Sequence, residues 1–580
     1  MAGLLGFSAL AGVLVTVMVA PAVAVTGVTA SSTIGIFDSI PEYLDLGELP
    51  ERNEIYVVNS WDPSGYSLAA TVFDQNRESV TYDQISRFAL DATVAGEDRR
   101  FFDHGGVDVI GVIRAAIGNV TSGDVESGAS TLTMQLVKNT YVQEALEMDT
   151  EEERQAAYLE ATDPNFDRKL KEMKIAIGLE KRYTKKEILV AYLNVAYFSD
   201  QVYGIQAAAQ RYFGVDASQL TLAQSASLIA IVQYPIQRGL ADPENFGGNE
   251  VRRDFILGQM LKEGFIDQAQ YDEAYAIPVD ETFVAAGITP ENGCRTANMY
   301  YRWFCDYIVK SVGDFELLGA TAEEREDNWA RGGYKLYTTL DTQAQVAAQD
   351  ALWAYTPNWE EGFRLGSAAS TVQPGTGRVL VMAENKIFDD ALEPSDPKLS
   401  SAVNFNTSIS YGNSLGVKSA STYKVFTLLQ WLITGHGVNE VVNGSARTEP
   451  ASSFKDRCTG AIDQWKFRNN SGEAGNFNIR YGTVQSINGV FVSMAKALDL
   501  CDINQLAASL GVRLGSEGTL PNNPSSIIGE SYVTPLSMAT AYAAIAAGGK
   551  TCEPIVVDSY IGPDGEAYTG QTPKCVQVLD

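Results

Sequence analysis

Gly96-Glu97-Asp98-Arg99-Arg100-Phe101-Phe102-Asp103-His104-Gly105 is the stretch on which the reading of this chain turns. Two carboxylates meet two guanidiniums, then two aromatic rings and a histidine. A carboxylate held ionised beside cations, on a partly apolar surface, is suited to take a proton from a hydroxyl. The competing reading is a helix start, with acids favoured by the dipole and Glu97 and Arg100 spaced as an i,i+3 pair. A short motif cannot decide between them, so the rest of the chain must.

With 580 residues the chain has room for more than one core. It is 45% hydrophobic and 20% charged, a globular composition. Its 72 acids against 43 bases give a net charge of −29, which argues against nucleic acid as a partner. A small anion held by a local basic cluster stays compatible with that balance. There are 2 histidines, His104 and His436, so polyhistidine metal chemistry is disfavoured and no metal ligand set is assigned. A serine nucleophile here would use a base other than histidine.

No charge precedes Asp38, and Leu4 to Val25 is long and apolar enough for a membrane-spanning helix. Ala22-Val23-Ala24 also resembles a signal-peptide cleavage site. The uncleaved anchor is preferred, because the run exceeds a usual signal core. No Lys or Arg precedes it to orient it. A start further upstream, or a clipped chain, is expected. The 6 cysteines contain no CxxC pair, which disfavours zinc. Behind an export segment, disulfides are plausible. Proximity favours 294–305, 458–501 and 552–575, although six cysteines allow about 15 pairings, and six buried thiols remain the alternative.

Along the chain, Glu54 to Val58 reads as extended. Helical patterns then run to about Ala276. They include Val107 to Ile117, Thr133 to Val142, and a helix opened by the capping box at Thr221 and stopped by Pro235. Asn249 is placed as the cap of a further helix ending at Gly264. The acid-rich run Asp149 to Asp167 reads as a solvated helix and loop, with a flap beside a binding site as the alternative. Pro278 to about Gly333 is a connector. Beyond it, Tyr334 to Thr339 alternates like a strand. Ala369 to Val372 and Val379 to Met382 flank a Pro-Gly-Thr-Gly turn. Helices are expected at Thr422 to Ile433, Val490 to Leu498 and Pro535 to Ala547.

Gly128 to Asn139 (GASTLTMQLVKN) packs hydroxyls, an amide and a lysine into a turn and helix start, a setting suited to anions. Arg168-Lys169-Leu170-Lys171-Glu172 puts cations and a carboxylate within about one and a half turns. The bland alternatives are an N-capped core helix and an i,i+4 surface pair.

Those motifs, with Tyr192-Leu193-Asn194, Tyr203-Gly204, Ala207-Ala208 and Tyr212-Phe213-Gly214 following in order, resemble the peptidoglycan glycosyltransferase domain of class A penicillin-binding proteins. The resemblance covers about residues 50–275. It implies a mainly-α, lysozyme-like fold beside a membrane, acting on lipid II. By the same resemblance Glu97 is the general base and Glu172 the second carboxylate. Asp98, Ser130, Thr131, Gln135, Lys138, Arg168 and Lys169 would bind substrate. A divalent cation (Mg or Mn) could assist at the donor pyrophosphate. Ser199 and Gln224 stand where that family often has glycine and glutamate.

In the second half, Ser421-Thr422-Tyr423-Lys424 opens an apolar helical stretch. Residues i and i+3 share a face, so the lysine can reach the serine. Ser486-Ile487-Asn488 follows. SxxK and Ser-x-Asn are two of the three penicillin-binding signatures. With Tyr337 to Asp341 and Val533 to Ala539 beside them, they make residues 335–580 resemble a transpeptidase domain. Ser421 would be the nucleophile, Lys424 its base, Ser486 a proton relay and Asn488 a peptide holder. The third signature, Lys-Thr-Gly, is not found: Gly549-Lys550-Thr551 is followed by Cys552, and Lys550 is assigned to a turn. The domain is therefore expected to be truncated at its C-terminus, to lack part of its oxyanion hole, and to transpeptidate poorly.

The expected architecture is multi-domain: a transmembrane anchor (1–30), a juxtamembrane segment (31–84), a mainly-α glycosyltransferase domain (85–276), a linker (277–333) and an α+β serine transpeptidase domain (334–580). Expected partners are lipid II, the nascent glycan, stem peptides, β-lactams, the membrane and other cell-wall (divisome or elongasome) proteins, with no nucleic acid. Expected localisation is the bacterial cell membrane, single-pass, with catalysis outside the cytoplasm. The rivals are a lysozyme-type glycoside hydrolase using Glu97 and Glu172, and a non-catalytic membrane β-lactam sensor built on Ser421.

Overall fold

The structure, a computed structural model, describes residues 44, 49–62, 64–111, 130–148, 150–163, 166–288, 291–363, 365–394, 396–458 and 464–579. The expected anchor at Leu4–Val25, most of the helix expected from Val107 to Ile117, and Gly128 and Ala129 lie outside them. Among the described residues no helix is long and apolar enough to cross a membrane. The chain divides into two units, one from residues 1–51 and 74–290, the other from 52–73 and 291–580.

The first unit is built of helices: α1 (Arg87–Glu97), α2 (Leu132–Leu146), α3 (Glu151–Thr162), α4 (Phe166–Arg182), α5 (Lys185–Val195), α6 (Ile205–Phe213), α7 (Leu222–Val232), α8 (Phe246–Lys262) and α9 (Gln268–Tyr275). Their starts are written locally. Thr131, Thr150, Thr184, Thr221 and Asp267 each accept a backbone N–H with the side chain, satisfying donors the first turn would leave unpaired. The core joins Leu136 and Val137 of α2, Ile175 and Leu179 of α4, Leu189 and Leu193 of α5, Leu228 to Ile231 of α7, and Ile256 and Leu257 of α8. Two local expectations are corrected. Pro235 opens a separate single turn, Pro235–Arg238, three residues after α7 ends. Asn249 is no cap: it is buried inside α8, and its amide donates to the carbonyls of Ser227 and Arg238.

The second unit is α+β. Strands β1 (Asn53–Val58), β2 (Tyr66–Val72), β3 (Lys335–Asp341), β7 (Val557–Ile561) and β8 (Ala567–Thr569) make one sheet, ordered β8-β7-β3-β1-β2. β1 runs parallel to β3, with Ile55 opposite Leu336; the other neighbours are antiparallel. Residues 53–72, expected in a juxtamembrane segment, therefore complete a sheet whose other strands follow the first unit in sequence.

The stretch expected to be a connector is structured too. Helices α10 (Arg302–Lys310) and α11 (Ala322–Arg331) place Trp303, Phe304 and Trp329 in a core with Ile55, Val57, Leu336 and Met382. After β3 come α12 (Thr342–Tyr355) and the antiparallel hairpin β4 (Ala368–Val372) and β5 (Val379–Glu384). Gly377 in its turn has φ +81°, and a Cβ there would sit 2.1 Å from the Glu553 carbonyl, so only glycine fits.

A second core gathers Tyr423, Phe426 and Trp431 around α13 (Lys424–Ile433), Val490, Phe491 and Met494 of α14 (Asn488–Ala497), and Leu500 and Ile503 of α15 (Leu500–Ser509). Helix α16 (Pro535–Ala546) precedes β6 (Lys550–Cys552), which pairs with β9 (Cys575–Gln577). Lys550 is thus a strand residue rather than a turn residue. Disulfides join Cys294–Cys305, Cys458–Cys501 and Cys552–Cys575, the pairing that proximity favours. The last lies across the register pair of β6 and β9.

Candidate functional sites

Glu97 is the last residue of α1, and its side chain keeps 8% exposure. One carboxylate oxygen accepts from Arg252 of α8 at 3.1 Å, and the other from the Gln135 amide of α2 at 3.3 Å. Arg252 also donates to the Gly96 carbonyl at 3.0 Å and lies over the Phe255 ring at 5.0 Å. Tyr192 donates to Gln135 at 3.1 Å; burial, and then the Glu97 charge, push its phenol well up. Tyr192 therefore stays protonated and fixes the Gln135 amide with its NH₂ toward Glu97. The result is a carboxylate aimed by three helices, the fixed orientation that a general base requires.

Asp98 turns the other way. It receives His104 Nε2 at 2.9 Å and the Leu132 backbone N–H at 3.1 Å, tying the end of α1 to the start of α2. Thr131 is equally engaged, capping α2 and donating to the Gly106 carbonyl at 2.7 Å. Both residues, expected to bind substrate, are placed where they hold the backbone around Glu97.

The cations gather around Glu172, which is 2% exposed. Arg168 bonds one of its oxygens, and Lys169 the other at 2.7 Å. Lys169 also donates to Ser130 at 2.8 Å. Burial lowers the Lys138 ammonium, the nearby Arg168 charge lowers it further, and Glu172 opposes both. Thr131, Gln135 and Lys138 recur at i, i+4 and i+7, so one face of α2 serves both Glu97 and this cluster. Glu172 is fully occupied as a counter-ion for the cations.

The residues do not fit the expected divalent cation at this position. Both Glu172 oxygens already carry a cationic partner. The one metal-capable group among the described residues, Asp456-Cys458-Cys501, lies in the other unit with its cysteines disulfide-bonded.

In the second unit Ser421 lies exposed in the turn Ala420–Tyr423, which leads into α13. That turn packs on Gly529, where a Cβ would come within 1.8 Å of the Ala420 carbonyl. Lys424, the first residue of α13, is 3% exposed. Its ammonium donates to the Ser486 carbonyl at 2.7 Å and the Ser486 hydroxyl at 2.9 Å. Burial pulls its pKa down to about 8, against the pull of Glu473. Ser486 has φ +53°, a strained conformation for serine that turns both its oxygens to Lys424. Asn488 begins α14 and donates to the Arg468 carbonyl at 2.7 Å. The Asn469 amide donates to the Glu473 carbonyl and its oxygen accepts from the Gly489 N–H, closing this loop onto α14.

Sequence reasoning missed Arg252, Tyr192 as a positioning group, and Glu473. Tyr192 lay in a motif already singled out; nothing local marks Arg252 or Glu473.

Two family descriptions match the chain: Transglycosylase over residues 65–261, and Penicillin binding protein transpeptidase domain over residues 368–579. Penicillin-binding protein 1A of Aquifex aeolicus is 27% identical over 601 residues, covering 93% of this chain and 75% of that one. Penicillin-binding protein 1A/1B of Bacillus subtilis is 27% identical over 517 residues, covering 88% of this chain and 50% of that one. A crystal structure of penicillin-binding protein 1A from Haemophilus influenzae aligns over 91% of this chain and 73% of its own, at 17% identity and a TM-score of 0.49. The chain thus spans between half and three quarters of these relatives. With both domains matched in the order of the two sites, the chain belongs to the bifunctional, class A penicillin-binding proteins.

Proposed function

We propose that this chain is a peptidoglycan synthase that polymerises lipid II and cross-links the stem peptides of the product. The observation that carries the first activity is the Glu97 carboxylate, held by Arg252 and by Gln135, whose face of α2 also carries Lys138 of the cation cluster. Glu97 takes the proton of the acceptor sugar 4-hydroxyl. That oxygen attacks the anomeric carbon of the growing chain, and the bond to undecaprenyl pyrophosphate breaks with inversion, leaving a β-1,4 link. Negative charge grows on the departing pyrophosphate, so Lys138, Arg168 and Lys169 act where the transition state needs them. This cluster favours synthesis over lysozyme-type hydrolysis, whose leaving group is a neutral sugar. Incubating the chain with lipid II separates the two: longer glycan supports synthesis, and breakdown of preformed glycan supports hydrolysis.

For cross-linking, Ser421 attacks the penultimate D-alanyl carbonyl and releases D-alanine. Lys424, neutral in part near its pKa of about 8, takes the hydroxyl proton through Ser486. An amine of a neighbouring stem then resolves the acyl-enzyme. Because Cys552 rather than glycine follows Lys550-Thr551, acylation of Ser421 by a labelled penicillin is expected to be slow; that labelling tests the assignment, and its absence would favour polymerisation alone. The run Leu4–Val25 is proposed as a single-pass anchor with both units outside the cytoplasm, which would bring Glu97 to a substrate itself held in the bilayer.

A further inference from the structure

A cleft of about 1070 Å³ opens in the second unit, just above the ~300–1,000 Å³ usual for small-molecule sites. Leu536, Ser537 and Thr540 of α16 line it. Tyr542 of the same helix instead donates to the Thr422 carbonyl, in the turn that carries Ser421, at 2.9 Å. Ser421, Lys424, Ser486 and Asn488 are absent from its lining, so the cleft is separate from the acyl-transfer site.

Its aromatic lining is rich in tyrosine. Tyr560 of β7 and Tyr568 of β8 are register partners whose rings stack at 5.1 Å. Tyr568 is 41% exposed. Tyr307 of α10 and Tyr411 of the single turn Ile409–Gly412 meet edge to face at 5.9 Å. Tyr560 donates to the Leu317 carbonyl at 3.3 Å and Tyr411 to Asp314, which fixes both rings. Buried Phe315, Leu536 and Ile555 add apolar surface to the same lining.

The charged lining balances: Arg325, Arg513 and Lys574 against Asp314, Glu316 and Glu553. Lys574 and Glu316 pair at 2.9 Å. Arg325 donates to the carbonyls of Gly313, Gly319 and Ala320, and Arg513 to those of Ala508 and Val512. Neither sign is in excess to select a charged ligand. Gln571, also in the lining, is the most defined polar group. Its amide oxygen accepts from the Val556 and Val557 N–H groups at 2.7 and 3.0 Å, which leaves the NH₂ as an oriented donor.

Tyrosine rings beside an oriented amide donor, with no net charge, suit a neutral sugar that carries an acetamido group. The apolar C–H face of such a sugar lies on an aromatic face, and its acetyl carbonyl accepts from an N–H. We propose that the cleft is a second glycan site for a short run of N-acetylated hexosamines. Tyr568 is its platform, and Gln571 is the donor that reads the acetamido group. That the natural occupant is the strand made by the first unit rests on the polymerase reading; the binding chemistry does not.

Titration calorimetry of the full chain with chitotetraose tests this against cellotetraose, the same β-1,4 backbone with hydroxyls in place of the acetamido groups. One hydrogen bond to the acetamido group gives up to about tenfold in affinity, so chitotetraose is expected to bind about tenfold tighter. Tyr568→Ala should weaken it about tenfold, while Tyr568→Phe, which keeps the ring, should bind as the wild type does. Gln571→Glu keeps the acceptor for Val556 and Val557 but removes the donor, and should bring the two sugars within about twofold of each other. Sugar taken up by the first unit persists in these variants and sets the baseline. Equal binding of the two sugars by the wild-type chain, binding of neither, or a preference unmoved by both Tyr568→Ala and Gln571→Glu overturns the proposal. So does tighter binding of a D-alanyl peptide that is lost in the same two variants, which would make the cleft a peptide site. Lipid II elongation is read separately. Sugar binding at Tyr568 without elongation sinks only the polymerase reading, and elongation without that binding sinks only the second glycan site.

Discussion

The guanidinium of Arg252 stands 3.1 Å from a carboxylate oxygen of Glu97, although 155 residues separate them. It is a charge-assisted bond between side chains of 16% and 8% exposure, where screening by solvent is weak. Arg252 also holds the Gly96 carbonyl, so one side chain sets both the charge environment and the direction of the Glu97 carboxylate.

Glu97→Gln keeps the size and hydrogen-bonding capacity of the side chain but cannot accept a proton. The fold should persist, with an unchanged circular dichroism spectrum and melt. Lipid II elongation should fall by about 10²–10⁴. Near-wild-type elongation would remove Glu97 from the mechanism.

Arg252→Met removes the cation and frees the carboxylate to rotate. Because the residue positions rather than reacts, kcat should fall by about 10–100-fold. Arg252→Lys should recover part of the loss by restoring charge without the planar fork. A kcat unchanged in Arg252→Met, with only a lowered melting temperature, would reduce the contact to a structural one.

Lys424 serves as a base only when neutral, and its pKa is brought down to about 8. Acylation of Ser421 by a fluorescent penicillin should therefore rise with pH and level off above a midpoint of about 8. Lys424→Met should abolish acylation at every pH. A rate independent of pH between 6 and 9 would contradict the assignment.

Glu384 is buried at 0% exposure; one oxygen accepts from the Phe405 N–H and the Asn406 amide, and the other has no hydrogen-bond partner among the described residues. Burial pushes its carboxyl well above the usual range, and Asp306 adds to the push. The unfolded carboxyl loses its proton near its ordinary pKa while the folded one retains it. Stability from this group is therefore present at low pH and declines as pH rises. Glu384→Gln, a permanently neutral isostere, should flatten that decline between pH 5 and 8 in urea titrations. An identical slope in the variant would show that Glu384 does not carry the dependence.

The disulfide Cys552–Cys575 closes a loop with a sequence separation of 23 across β6 and β9. Chain-entropy arguments give about 3 kcal/mol for a loop of that size. Replacing both cysteines by serine should lower the melting temperature by several degrees and leave polymerisation of lipid II unaffected, since the strands belong to the second unit. An equal melt in oxidised wild type and variant would count against the cross-link.

Much of this was legible locally. The capping threonines announce the helix starts through side-chain bonds that span three residues. The SxxK spacing puts Lys424 one turn from Ser421 because the helix repeats at that interval. The hairpin β4–β5 follows from alternation around a Pro-Gly-Thr-Gly turn. Misreadings arose where a local signal competed with a distant partner. Asn249 resembles a cap, yet its amide is taken by carbonyls of other segments. Lys550 resembles a turn after two glycines, yet β9 supplies it with a strand partner.

From the sequence alone came the chemistry on offer: Glu97, the Lys138, Arg168 and Lys169 cations, the Ser421–Lys424 pair, and the order in which they occur. Only the tertiary structure decided what those groups do to one another. It turned Asp98 and Thr131 toward the backbone, closed Glu172 between two cations, and brought Arg252 and Tyr192 to the Glu97 site. It also carried β1 and β2 into a sheet completed by strands hundreds of residues later. The division has one physical cause. Helix caps and i,i+3 spacings are set by bonds within a turn of the chain, whereas burial, ion pairing and strand partnership depend on which distant surfaces exclude water together.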